Sequence, residues 1–118
     1  MIKYLYYYSS ILLVLMASQY SLAATDIVNA KILDVAPDKD HGVIYVVFDS
    51  TQRGSTACVS SQNKNKYQIN DLGTPISNAL LSAALTALAS GRLVKAVGNG
   101  TCNGRAGFET LRLLSFVH

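Results

Sequence analysis

Three observations predict a mainly β domain with one helix: a small OB-fold-like five-stranded barrel whose helix lies between its third and fourth strands. Short segments rich in β-branched and aliphatic residues alternate with polar turns that contain Gly, Pro or Asn. A single Ala/Leu-rich stretch has helical punctuation at both ends. The order is three strands, a helix and two strands within residues 24–118, a length that suits one domain and is too short for two. A looser α+β sandwich is the alternative arrangement of the same elements.

Residues 1–23 are set apart from that domain. Lys3 precedes the apolar run Ile11–Ala17, and the small residues Ser21 and Ala23 stand at −3 and −1 of a cut. This pattern predicts a secretory signal peptide cleaved after Ala23, with a cut after Ala24 as the near alternative and an uncleaved anchor as the rival. The domain spans residues 24–118 and is expected to be secreted or periplasmic, with no membrane span after cleavage.

The elements follow in order. Ile27–Val35 is the first expected strand. The polar residues 37–42, with Pro37 and Gly42, form a loop, and the apolar run Val43–Phe48 returns as a second strand buried on both faces. Gln52-Arg53-Gly54 turns the chain into a third short strand, Thr56–Val59, which contains Cys58. Residues 61–66 contain nothing apolar and read as a solvated loop, with Tyr67-Gln68-Ile69 as a brief extended piece after it. Thr74 caps the helix, Pro75 suits its first position, and Gly91 ends it in a left-handed conformation. Leu93–Val97 and Phe108–Val117 are the last two strands, with Glu109 and Arg112 supplying the polarity of the final one.

No charged side chain occurs from Leu72 to Gly91. Asn78, Ser82, Thr86 and Ser90 form one polar stripe, opposite Ile76, Leu80, Ala83, Ala84, Ala87 and Leu88. A surface helix ordinarily places Lys or Glu on its wet side, so this one is expected to have a second apolar neighbour. Its own copies in a dimer or ring are the simplest choice, with Ala79, Ala83 and Ala87 allowing close approach.

The two cysteines, Cys58 and Cys102, have one intramolecular pairing open to them in an exported chain, so a structural disulfide is expected. The formal charge of +3 falls to +2 once Lys3 leaves, and the basic residues are scattered, which argues against nucleic acid as a partner. Asp38-x-Asp40-x-Gly42 lacks the further oxygen positions and the bidentate Glu of a calcium loop, so no metal is expected. The glycine-rich 98–104 stretch has neither phosphate-cradle spacing nor a helix after it, so no cofactor is expected. The only imidazoles, His41 and His118, sit in a loop and at the last position, and no nucleophile–base pairing points to an enzyme. Lys64, Tyr67, Asn99, Asn103 and Arg105 remain as candidate binding residues, since amide and basic groups can hydrogen-bond sugar hydroxyls or carboxylates. Asn99-Gly100-Thr101 is a formal glycosylation sequon.

Ala57-Cys58, the segment around Tyr67, the 78–90 helix closing in Ala89-Ser90-Gly91-Arg92-Leu93-Val94, and the Gly98–Cys102 loop together resemble the binding subunits of pentameric toxins of the subtilase-cytotoxin and typhoid-toxin type. The resemblance covers about half the chain and is one of pattern. It implies an OB-type barrel, a homopentamer with helices lining its axis, glycan binding on the outer face and an exported enzymatic subunit as partner. The chain departs from that family in having fewer cysteines and aromatics, and it lacks the serine segment that contacts sugar. No glycan-binding residue is therefore transferred. The expected function is an exported, non-catalytic binding module, with self-association and glycan recognition as its more specific form. A periplasmic interaction protein or hydrolase inhibitor acting through its loops is the alternative.

Overall fold

The computed structural model describes residues 25–51 and 58–118. The leader, both cut positions at Ala23 and Ala24, the Gln52–Gly54 turn and the start of the Thr56–Val59 strand lie outside the described residues. Among the described residues there are six strands and one α-helix: β1 (Asp26–Ala30), β2 (Ile32–Asp38), β3 (Val43–Phe48), β4 (Lys66–Ile69), α1 (Pro75–Ser90), β5 (Val94–Gly98) and β6 (Glu109–Phe116). The sheet order is β1-β5-β6-β4-β3-β2, and every pairing is antiparallel except β4 with β6.

The protein is thus mainly β, but with six strands rather than five, and the ladder is not closed into a barrel. The expected first strand is split. Asn29 takes a left-handed φ of 54°, the register slips between Ile27 and Ala30, and Lys31 bonds out of the ladder. The Lys31 N–H donates to Asp49 Oδ1 at 2.9 Å, and the Asp49 N–H donates to the Lys31 carbonyl at 3.0 Å. This junction has a global consequence. β1 and β2 are the two edge strands, yet one residue separates them. Flat, the edges of six strands lie roughly 24 Å apart, and one residue bridges only about 7 Å, so the sheet must coil.

Other departures are local. Pro37 belongs to β2 rather than to the following loop, which an edge strand tolerates because the missing N–H costs no ladder bond there. Of the expected third strand, Val59 forms a single bridge to Gly107, and Tyr67-Gln68-Ile69 is instead part of the central strand β4. β3 is as expected, with Val43, Ile44, Val46 and Phe48 buried.

The helix follows its sequence signals. Thr74 accepts a hydrogen bond from the Ser77 N–H, Pro75 opens the first turn, and Gly91 ends it at φ 67° with its N–H on the Ala87 carbonyl. The polar stripe Asn78, Ser82, Thr86, Ser90 is exposed. The inward face is rotated from the expected one. Ser77, Ala84 and Ala87 are buried and Leu80 and Leu81 pack beside them, while Ile76 is 67% exposed and Leu88 lies outside the core. Small side chains at 84 and 87 let the helix sit close on the sheet. Ala87 is wholly buried by its own domain and cannot meet a second copy; Ala83 is half-buried and Ala79 exposed. No helix among the described residues is long and apolar enough to cross a membrane.

One carboxylate is buried in the core. Glu109 is fully enclosed and accepts from the Gly100 N–H at 2.9 Å, the Thr25 N–H at 3.5 Å and the Thr25 hydroxyl. Tyr67, also fully buried, donates its hydroxyl to the Thr25 carbonyl at 3.1 Å, and the Gly98 N–H donates to the same carbonyl at 2.9 Å. Thr25, just before β1, is thereby bound to the start of β6. These bonds supply the pairing that a buried ionisable group requires.

Candidate surface site on the outer face of the sheet

Register places Ala36, Tyr45, Gln68 and Thr110 in one row across β2, β3, β4 and β6. Val46 and Tyr67 of the neighbouring row point into the core, so alternation directs the Tyr45 row outward. Residues 99–108 fold over this outer face. Gln68 holds them: its amide Nε2 donates to the Arg105 carbonyl at 3.2 Å and the Phe108 carbonyl at 2.7 Å, and its Oε1 accepts from the Arg105 N–H at 2.7 Å. Both ends of the Gln68 amide are thus used, which explains how a wholly buried glutamine is tolerated.

A second tie is covalent. Cys58 and Cys102 form the expected disulfide, with Cα atoms 6.0 Å apart. Beside it the Gly107 carbonyl accepts from the Ser60 N–H at 3.1 Å and from Asn63 Nδ2 at 3.0 Å. The 99–108 segment is therefore fixed from two sides and delivers Arg105 and Phe108 to a set position.

There they meet Tyr45, Asp38 and His41. The Phe108 and Tyr45 rings lie 4.7 Å apart at 34°, and the Arg105 guanidinium carbon is 5.2 Å from the first ring centre and 5.8 Å from the second. Arg105 donates to the Tyr45 hydroxyl at 2.9 Å, and that hydroxyl donates onward to Asp38 Oδ2 at 2.6 Å. His41 Nδ1 lies 2.7 Å from the same oxygen, the Arg105 guanidinium 3.8 Å from it, and the Asp40 N–H donates to Oδ1 at 3.0 Å. The Arg105 and His41 side chains remain 41% and 43% exposed, so the cluster faces solvent.

The Tyr45 hydroxyl, followed by His41, holds the Asp38 carboxyl down to about 2. Burial, reinforced by Asp38, pushes the Tyr45 phenol above its ordinary value. A carboxylate depressed in the folded state stabilises fully above its unfolded value of 3.8, and that contribution is lost as pH falls through about 2. Melting curves between pH 4 and pH 2 are therefore expected to fall more steeply for the parent than for Asp38→Asn. Parallel curves would show that Asp38 gains nothing from its neighbours.

Of the residues expected from sequence to bind, only Arg105 is in this cluster. Lys64 and Asn103 are exposed outside it. Asn99 is exposed at the other end of the segment, where its Oδ1 accepts from the Thr101 N–H at 2.9 Å and the Thr101 hydroxyl at 2.8 Å. Tyr67 is no surface residue: its ring packs edge-on against Phe48, with centres 5.8 Å apart, and its hydroxyl is bound in the core. Asp38, His41, Tyr45 and Phe108 were not among the expected binding residues. The sequence signal for them was the Asp/His-bearing hairpin loop, but only the topology brings it to residues 99–108. Among the described residues, no group of three or more His, Cys, Asp and Glu side chains could hold a metal ion. Comparison with known proteins finds no match for the chain among family models, curated proteins or solved structures.

Proposed function

We propose that this chain is an exported, non-catalytic binding module that recognises glycans at the Asp38–Tyr45–Arg105 surface and self-associates through the uncharged outer side of α1. The observation behind this reading is the pairing of a hydrogen-bond acceptor, Asp38, with a donor fork, Arg105, beside a fixed aromatic wall. Vicinal hydroxyls both donate and accept, so they suit such a pair better than a single charge does. Asp38 and Tyr45 are poorly suited to proton transfer. A carboxylate held near 2 is a weak base, and a phenol raised above its ordinary value is a weak acid at neutral pH.

Fold-level support comes from treating β1 and β2 as one bent strand interrupted at Lys31. The element order then becomes the five-stranded OB-like order with the helix between the third and fourth strands, and ligands of that arrangement meet the loops the cluster occupies. The disulfide and the leader pattern support export. For self-association the support is the charge-free helix with Leu85, 48% exposed, next to the Asn/Ser/Thr stripe.

The test uses the oxidised chain beginning at Ala24. Light scattering behind a sizing column is expected to give several protomers, and the same fraction on a glycan array is expected to show signals that fall about tenfold in Arg105→Ala. A monomer at every concentration overturns self-association. Array signals indifferent to Arg105→Ala overturn the site, and a blank array turns the reading toward a protein partner met through the same loops.

A further inference from the structure

We propose that Asn99-Gly100 is a self-modifying site, at which the fold itself promotes loss of the Asn99 amide as ammonia and leaves aspartate or isoaspartate. Asn99 is exposed and directly follows β5. An asparagine side chain can be attacked by the backbone nitrogen of the next residue, and glycine there has no Cβ to block the approach. Gly100 also takes a φ of 83°, a left-handed conformation that a side chain would resist.

Both ends of the reacting pair are engaged. Asn99 Oδ1 accepts from the Thr101 N–H at 2.9 Å and from the Thr101 hydroxyl at 2.8 Å. This turn folds the side chain back over the Asn99–Gly100 peptide and puts two donors on the oxygen where negative charge develops. The Gly100 N–H donates to Glu109 Oε2 at 2.9 Å, so a carboxylate stands ready for the proton that this nitrogen must lose. Thr110 clamps the frame, accepting the Asn99 N–H on its carbonyl and donating its own N–H to the Thr101 carbonyl, both at 2.9 Å. As the Gly100 nitrogen bonds to Asn99 Cγ, its proton passes to Glu109 and the carbonyl electron pair moves onto Oδ1. When that pair returns, Nδ2 takes the proton from Glu109 and leaves as ammonia, giving a succinimide. Water then opens either of its two carbonyls. The aspartate product carries one more negative charge, and the isoaspartate product also lengthens the backbone before Cys102 by one methylene.

Asn103-Gly104 is the internal comparison, an identical exposed pair in the same segment. The residue in the place of Thr101 is there Arg105, which has no hydroxyl and whose N–H is taken by Gln68 Oε1 at 2.7 Å. The experiment incubates the folded, oxidised chain near neutral pH and follows both pairs by peptide mapping with mass spectrometry. Isoaspartate methyltransferase labelling reads the product, and hydroxylamine traps the succinimide. Asn99 is expected to convert about tenfold faster than Asn103 in the folded chain, and the two rates to converge in urea with reductant. Thr101→Val keeps the side-chain shape at an exposed position and removes one donor. It is expected to melt with the parent and to slow Asn99 about tenfold, with Asn103 unchanged. Glu109→Gln removes the proton acceptor and is expected to slow Asn99 at least as much; should this buried substitution prevent folding, Thr101→Val decides alone. Asn99 converting no faster than Asn103 would mean that the clamped turn guards the pair. A folded rate no higher than the unfolded one, or an Asn99 rate indifferent to Thr101→Val, would mean that the fold contributes nothing. Each of those results overturns the proposal.

Discussion

Reducing the Cys58–Cys102 bond is expected to lower the melting temperature by roughly 15–30 °C. The two sulfurs are 44 residues apart in sequence, and closing a loop of that length removes about 4 kcal/mol of unfolded-state entropy in the chain-entropy account. Few small domains have much more than that in reserve. The effect extends past stability, because the bridge holds the 99–108 segment that brings Arg105 and Phe108 to Tyr45. Without it, the Gln68 amide and the Gly107 carbonyl remain as ties, each a net contributor of only about 1 kcal/mol per hydrogen bond. Circular-dichroism melts with and without reductant, repeated on Cys58→Ser/Cys102→Ser, measure the shift. A reduced protein melting within a few degrees of the oxidised one would show that the non-covalent ties suffice.

What could be read from sequence divides by how far each signal reaches along the chain. The helix was legible because its determinants are neighbours: Thr74 caps it, Pro75 fits its first turn, and Gly91 adopts the left-handed φ that ends it. The β3 run was legible because Val43–Phe48 is apolar on both faces, and both faces are covered, one by the core and one by residues 99–108. The β1–β2 break was not legible, since it depends on Asp49 capturing the Lys31 backbone from the far end of the hairpin. β4 looked too short to matter, yet its position between β3 and β6 makes its two central residues, Tyr67 and Gln68, the pins for the core and for the covering segment. Glu109 reads from sequence only as a polar residue of the last strand, yet it is fully buried. Alternation gives two faces, but only partners far along the chain decide which face is wet. The surface cluster shows the limit most directly: Asp38 ends β2 and Arg105 lies in the 99–108 segment, and their meeting is a property of the sheet order.

Gly98→Ala is expected to destabilise the fold by roughly 3–5 kcal/mol, far more than the same change at Gly91. A Cβ at Gly98 would overlap the Glu109 carboxylate and stand 2.8 Å from Tyr67 Cε1. Neither neighbour can retreat cheaply. Glu109 is held by Gly100 and Thr25, and Tyr67 by the Thr25 carbonyl, which also receives the Gly98 N–H. Moving the carboxylate therefore breaks bonds to a buried ionisable group as well as straining β5 against β6. Gly91 is the control: its φ is 67°, but nothing lies within 4 Å of the added carbon, so only backbone strain of about 1 kcal/mol applies. Urea unfolding of both variants, with Glu109→Ala and the Gly98→Ala/Glu109→Ala double variant, separates the causes. If the overlap dominates, the double variant costs much less than the sum of the singles, because Glu109→Ala vacates the space that the new methyl needs. Strict additivity, or Gly98→Ala costing no more than Gly91→Ala, would mean that Glu109 does not lie against Gly98 in solution and that the core is closed by other contacts.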